Sequence, residues 1–144
     1  MNNNSQSPAN YNGKGYLVVK VSTARGAIPL EGASVNVRGA ETSNSDIIYS
    51  LTSDRDGITK KIELPTPPRS LSEAPNNVVP YALYNIEVFK EGYRDLSLNN
   101  VAVFDSITSI QGAVMIPLSD NRYPDSFEPK QDISPSDAEN IGGN

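Results

Sequence analysis

The residue types that carry most hydrolytic and metal chemistry are missing from these 144 residues: there is no histidine and no cysteine. Without cysteine there can be no disulfide, thiolate nucleophile or Cys-type zinc site. Without histidine the chain lacks the commonest general base near neutral pH and the commonest transition-metal ligand. Carboxylates and Ser–Lys pairs are what remains. Asp54-Arg55-Asp56-Gly57 offers oxygens at the spacing that opens a calcium loop. Such a loop needs further acids and a bidentate Glu near its end, whereas Lys60 and Lys61 stand where ligands would fall, so a hairpin turn is the expected reading. Lys20 could in principle enter a Lys–Asn isopeptide crosslink. That chemistry needs an Asn or Asp on the last strand, which SIQGAVMIPL lacks, and a buried lysine, whereas Lys20 falls on a polar face. Glu63, Glu87 and Asp95 are the carboxylates that could form a glycosidase pair. By parity Glu63 and Glu87 point outward beside lysines, which predicts cross-strand ion pairs instead. No catalytic residue, cofactor or metal ligand is assigned, and the chain is expected not to be an enzyme.

The elements that would position any site are short strands. Gly15–Thr23 alternates, with Leu17, Val19 and Val21 on one face and Tyr16, Val18, Lys20 and Ser22 on the other, the period of a half-buried strand. After a turn at Pro29–Gly32, Ala33, Val35 and Val37 point inward. Ile47–Ser53 carries Ile47, Tyr49 and Leu51 on one face. Beyond the Asp54–Gly57 turn, Ile58–Leu64 places Ile58, Ile62 and Leu64 together. Lys60 is a misfit there, expected as an inward charge guarding an edge. Tyr81–Lys90 turns Ala82, Tyr84, Ile86 and Val88 inward. Leu96 and Leu98 give way to Val101 and Val103 across Asn99-Asn100, a parity switch that predicts a β-bulge. Ser109–Leu118 is read with Ile110, Val114, Ile116 and Leu118 inward and Gly112 in the same register. Seven such strands with regular turn signals predict an all-β sandwich.

Three regions follow. Residues 1–13 are Asn/Ser-rich and read as a flexible N-terminal arm; residues 14–118 form the sandwich; residues 119–144, with three prolines and a Gly-Gly end, read as an extended C-terminal arm. Of the net charge of −5, the central region contributes 10 basic against 11 acidic residues and the C-terminal arm 2 against 6. No basic stripe suggests nucleic acid. No apolar run approaches the ~20 residues of a membrane span, so no membrane insertion is expected. Met1–Asn10 has neither a basic nor an apolar leader segment, so no standard secretory signal is expected. Synthesis in the cytoplasm, ending in a spore, a phage-like particle or a cell-surface structure, is the reading. Pro65–Pro80, with five prolines, is a long loop for a compact domain.

Pro29-Leu30-Glu31-Gly32-Ala33-Ser34-Val35-Asn36-Val37 resembles the second strand of carboxypeptidase-regulatory-like and other transthyretin-like domains. Leu51–Gly57 is similar to their Asp-Gly hairpin, and Tyr84–Tyr93 to their penultimate strand and turn, in the same order. The resemblance covers residues 14–118 and implies a seven-stranded transthyretin-like (prealbumin-like, Ig-like) sandwich. Leu64–Pro68, Pro80–Ile86 and Phe104–Gln111 also resemble an N-terminal accessory module of clostridial spore cortex-lytic enzyme precursors and related Firmicute proteins. What this implies is a detached accessory module, without the lytic activity of the longer proteins. Hydrolases of the transthyretin-like fold rely on His, which this chain lacks.

Two sets of residues are candidates for contact. Tyr16 and Val18 on one strand, and Tyr81, Leu83 and Phe89 on another, are apolar yet outward-facing. Were the two strands neighbours in one sheet, they would form a partner surface. In the arms, Tyr11, Tyr123, Phe127 and Ile133 are anchors that a solvated tail does not need, and docking on a neighbouring subunit by strand addition would use them. The functional expectation is a structural subunit of a larger assembly, partnered by itself or other structural proteins. The alternative is a peptidoglycan- or carbohydrate-binding accessory module.

Overall fold

The computed structural model describes residues 11–72 and 80–135. Residues 1–10, most of the second half of the Pro65–Pro80 loop and the last nine residues of the C-terminal arm lie outside the described residues. Nine strands are present among those described: β1 (Gly13–Thr23), β2 (Ile28–Pro29), β3 (Ser34–Gly39), β4 (Ile48–Thr52), β5 (Ile62–Thr66), β6 (Ala82–Phe89), β7 (Leu96–Val103), β8 (Thr108–Val114) and β9 (Lys130–Asp132). They form two mixed sheets. In the first, β1 is central, with β5 and β2 along one side and β8 parallel to it on the other; the second runs β4-β3-β6-β7-β9. No helix among the described residues is long and apolar enough to cross a membrane.

One core lies between the sheets. Leu17, Val19 and Val21 of β1 meet Val35 and Val37 of β3, Tyr84, Ile86 and Val88 of β6, and Leu96, Leu98 and Val103 of β7, all buried. Each set alternates with polar or half-buried neighbours, which is how a sheet with one wet face is built. Tyr84 is fully buried and its hydroxyl donates to the Pro65 carbonyl at 2.7 Å. Burial pushes that phenol well above its usual range. At Asn99-Asn100 two residues of β7 face one of β6; Asn100 adopts φ 62, and its N–H bonds Asn85 Oδ1 at 2.9 Å. This is the bulge that the parity switch implies.

The Asp54–Gly57 segment is a turn held by its own side chain: Asp54 Oδ1 accepts from the N–H groups of Asp56 and Ile58, both at 2.9 Å. Past it, strand structure does not resume until Ile62. Thr59 is buried, and its N–H and Oγ1 pair with the carbonyl and N–H of Val19, both at 3.0 Å. This irregular step turns Lys60 and Lys61 out to solvent, so Lys60 does not point inward.

The C-terminal segment is part of the fold as far as it is described. β9 adds to β7 in parallel, from Ser97 opposite Lys130 to Asn99 opposite Asp132. The segment that leads to it is held in place by Arg94, which is 2% exposed. Its Nη1 donates to the carbonyls of Pro124 and Phe127 and its Nη2 to those of Asp120 and Tyr123, at 2.5 to 3.3 Å. Four carbonyl dipoles thus take the place of a carboxylate around a buried guanidinium, whose fork of donors suits them. Tyr123 and Phe127 stack 4.8 Å apart beside it. Ile133 packs against the core, as does Tyr11, whose hydroxyl donates to Glu41 Oε1 at 2.7 Å. The four expected arm anchors therefore make contacts within their own domain: Tyr123 and Phe127 at Arg94, Ile133 at the β7 edge and Tyr11 at Glu41 and Ser43.

Candidate functional site

The strongest departure from the sequence reading is β8. Its β-branched residues face solvent: Ile110 is 71% and Val114 40% exposed, while Ala113 and Met115 are buried. The cause is register. Residues paired directly across a ladder share a face, and β1 pairs Leu17 with Ser109, Val19 with Gln111 and Val21 with Ala113. Because β1 turns its odd-numbered residues inward, β8 must do the same. The register is pinned at both ends. Tyr16 N–H bonds the Ile107 carbonyl at 2.9 Å, Met115 N–H bonds that of Ser22 at 2.7 Å, and Thr23 Oγ1 donates to the Met115 carbonyl at 2.8 Å. A slip of one residue would bury Ile110 and Val114, each contributing ~1.5–3 kcal/mol, at the expense of exposing Ala113 and Met115. The fold forgoes this.

The result is an apolar strip on the outer face of the first sheet. Val18 lies beside Ile110 and Ser22 beside Val114. Ile107, just before β8, is 45% exposed as well. Between Ile110 and Val114 sits Gly112, where an added Cβ would meet nothing within 4 Å. Nothing inside the domain requires glycine there; such a notch in a strand suits the close approach of another chain. The outer edge of β8 has no strand partner among the described residues.

Of the residues expected to form one partner surface, Tyr16 and Val18 lie on this face, where Lys61 Nζ sits 5.2 Å from the Tyr16 ring centroid. Tyr81, Leu83 and Phe89 do not join them: β6 belongs to the other sheet, so the two groups are on opposite sides of the sandwich. Tyr81 packs edge-on against Phe104 instead, at 5.6 Å. The signal for β8 that parity alone does not carry is Gly112 itself, a small residue in the same register as Ile110 and Val114.

The centre of the opposite face carries polar side chains beside the exposed Ile48. Asn36 and Arg38 of β3, Ser50 of β4, Asn85 and Glu87 of β6 and Asn99 of β7 line a shallow depression of about 350 Å³. The registers put Asn36 between Ser50 and Glu87, and Arg38 between Ile48 and Asn85. The candidate carboxylates do not converge: Glu63 lies on the first sheet, 3.7 Å from Lys14 Nζ, and Glu87 on the second. Among the described residues no group of three or more acids is placed to hold a metal ion.

No protein-family model matches the chain, and no curated protein does. Solved structures share its fold. Catechol 1,2-dioxygenase from Acinetobacter sp. ADP1 is 13% identical over 85% of this chain and 59% of its own, with a TM-score of 0.52. Hydroxyquinol 1,2-dioxygenase from Pseudomonas putida DLL-E4 is 13% identical over 73% of this chain and 57% of its own, with a TM-score of 0.50. The Bacillus anthracis TIE protein matches at 17% identity over 73% of this chain and 17% of its own, with a TM-score of 0.46. The chain spans less than two thirds of each. At these identities the likeness to the dioxygenases is one of fold alone.

Proposed function

We propose that this chain is a non-enzymatic interaction module, a structural subunit that associates with further copies of itself through the outer face and free edge of β8. The observation that carries this reading is the exposure of Ile110 and Val114 on a strand whose outer edge has no strand partner among the described residues, where one alternative register would have buried them. Unpaired edges and contiguous apolar patches are avoided on monomers because they recruit other chains. A two-fold pairing of β8 with its copy would satisfy both the edge and the strip, since one self-complementary patch suffices for a closed dimer. The sandwich is read as transthyretin-like, which the order of the Pro29–Val37, Leu51–Gly57 and Tyr84–Tyr93 motifs supports. A spore layer, a phage-like particle or a surface filament is the proposed setting, for which the resemblance of Leu64–Pro68, Pro80–Ile86 and Phe104–Gln111 to a spore-protein module offers support.

Sedimentation of the full chain should show concentration-dependent association, and Ile110→Lys should weaken it by at least about tenfold in Kd. Because Ile110 is exposed, that variant should unfold within ~0.5 kcal/mol of the wild type. A wild-type chain that remains monomeric at its highest soluble concentration, or a variant that associates equally well, overturns the proposal.

A second reading, a glycan-binding accessory module, is favoured by the polar depression. Carboxamides, a guanidinium and a carboxylate side by side offer the mixed donors and acceptors that sugar hydroxyls and N-acetyl groups use. It predicts that the protein co-sediments with purified peptidoglycan and that the double variant Asn36→Ala, Arg38→Ala does not. Absence of the wild type from the pellet rejects it.

A further inference from the structure

At the end of β8 lies a second, open concavity of about 720 Å³. That is within the ~300–1,000 Å³ range of small-molecule sites. Ile28, Val114, Ile116 and Pro117 give it apolar walls, and the Tyr123 ring closes one side. That ring is itself held, stacked on Phe127 and lying 5.9 Å from the guanidinium carbons of both Arg94 and Arg122.

The charges at the rim are unequal. Arg122 is already neutralised: Nε bonds Asp120 Oδ1 at 3.0 Å and Nη2 bonds Oδ2 at 2.7 Å. Those hydrogen bonds hold the Asp120 carboxyl down at about 2, so the pair persists across the working pH range. Arg25 also lines the cavity and is exposed, and it has neither a hydrogen bond nor an ion pair among the described residues. Among the described residues the rim therefore carries one positive charge without a carboxylate partner, on a protein whose net charge is −5. Arg25 is also held there at a cost. Ala24 and Arg25 are consecutive non-glycine residues at φ 53 and 58, a left-handed conformation unfavourable for side-chain-bearing residues. Backbone strain of this kind gathers at ligand clamps.

We propose that this cavity binds a small amphipathic carboxylate, an acyl or aryl acid, with its apolar body against Ile28, Val114 and Ile116 and its carboxylate on Arg25. A guanidinium recognises a carboxylate through two parallel hydrogen bonds, and a single free cation over an apolar floor matches a single anion on an apolar tail. The site adjoins the association face at Val114, whereas Ile110, the centre of that face, does not line it.

Octanoate is the probe, followed by amide chemical shifts in the full-length protein. Saturable shifts confined to residues 23–28 and 113–123 are expected. Octylammonium should bind at least about fivefold more weakly. Arg25→Gln should lose a similar factor, whereas Ile110→Lys should bind as the wild type does. Arg25→Gly separates charge from fold: it should lose octanoate binding while melting higher than the wild type, because glycine adopts this φ without strain. No saturation by about 10 mM, equal binding of octylammonium, or undiminished binding by Arg25→Gln in a protein with a native spectrum overturns the proposal.

Discussion

Replacing Arg94 by Met should destabilise the fold by about 2–4 kcal/mol and free residues 119–135 from the sheet. The methionine keeps an apolar stem in the buried space, so the loss is that of the guanidinium fork. Four carbonyls, those of Asp120, Pro124, Tyr123 and Phe127, lose their donor together. Hydrogen bonds to charged groups contribute ~1.5–3 kcal/mol each. Part of that is recovered when the carbonyls rehydrate at the surface, and the desolvation of a buried charge is relieved as well. Arg94→Lys should restore little, since one ammonium cannot reach acceptors spread along eight residues of chain from Asp120 to Phe127. Urea unfolding measures the stability. Hydrogen exchange at the amides of Ser97 and Ile133, which bond the Pro129 and Asn99 carbonyls at 3.0 and 2.7 Å, reports whether β9 has come away. Exchange at both should accelerate in Arg94→Met well beyond the change in global stability. Wild-type protection in that variant would show that β9 holds without the latch.

Gly57→Ala should be costlier than its size suggests, at least about 3 kcal/mol. Gly57 has φ +79, and a Cβ there would run into the Val21 carbonyl oxygen. The left-handed backbone alone costs a non-glycine residue ~1–2 kcal/mol. Val21 cannot move aside, because its carbonyl accepts from Leu30 N–H at 3.0 Å and its N–H donates to the Gly57 carbonyl at 2.7 Å. Relieving the clash would unpick the turn from the C-terminal part of β1, where Val21 is fully buried. Gly92 is the internal control. It has φ +90, yet nothing lies within 4 Å of where its Cβ would be. Gly92→Ala should therefore cost only the backbone term. Chemical unfolding of both variants side by side distinguishes the two contributions, and equal losses would show that the contact with Val21 is unimportant.

Much of this fold is legible in the chain because four strands commit strongly to one face. In β1, β3, β6 and β7 every residue expected to point inward is buried, and the bulge at Asn99-Asn100 appears as a change of parity. Strong alternation is a local property, so it can be read locally. The candidate site was legible only in part. Tyr16 and Val18 mark the correct face of β1, but whether β6 shared that face was a question of strand order, which alternation does not encode.

What the amino-acid sequence by itself determined is the all-β character, the core faces of those four strands, the turn at Asp54–Gly57 and the absence of histidine and cysteine chemistry. What only the tertiary structure decided is the face β8 presents, the docking of β9 and the place of Arg94. Each depends on partners far away in the chain. The alternation of β8 is ambiguous, with aliphatic residues at 110 and 114 and also at 113 and 115, so its face is dictated by a parallel register with β1 set some ninety residues earlier. Arg94 would be read locally as one more surface charge, until the chain returns about thirty residues later to surround it with carbonyls. Hydrophobic periodicity records how a residue is buried by its own strand. It carries no record of which distant segment arrives to cover it, and in this protein those arrivals define both the exposed strip and the cavity beside it.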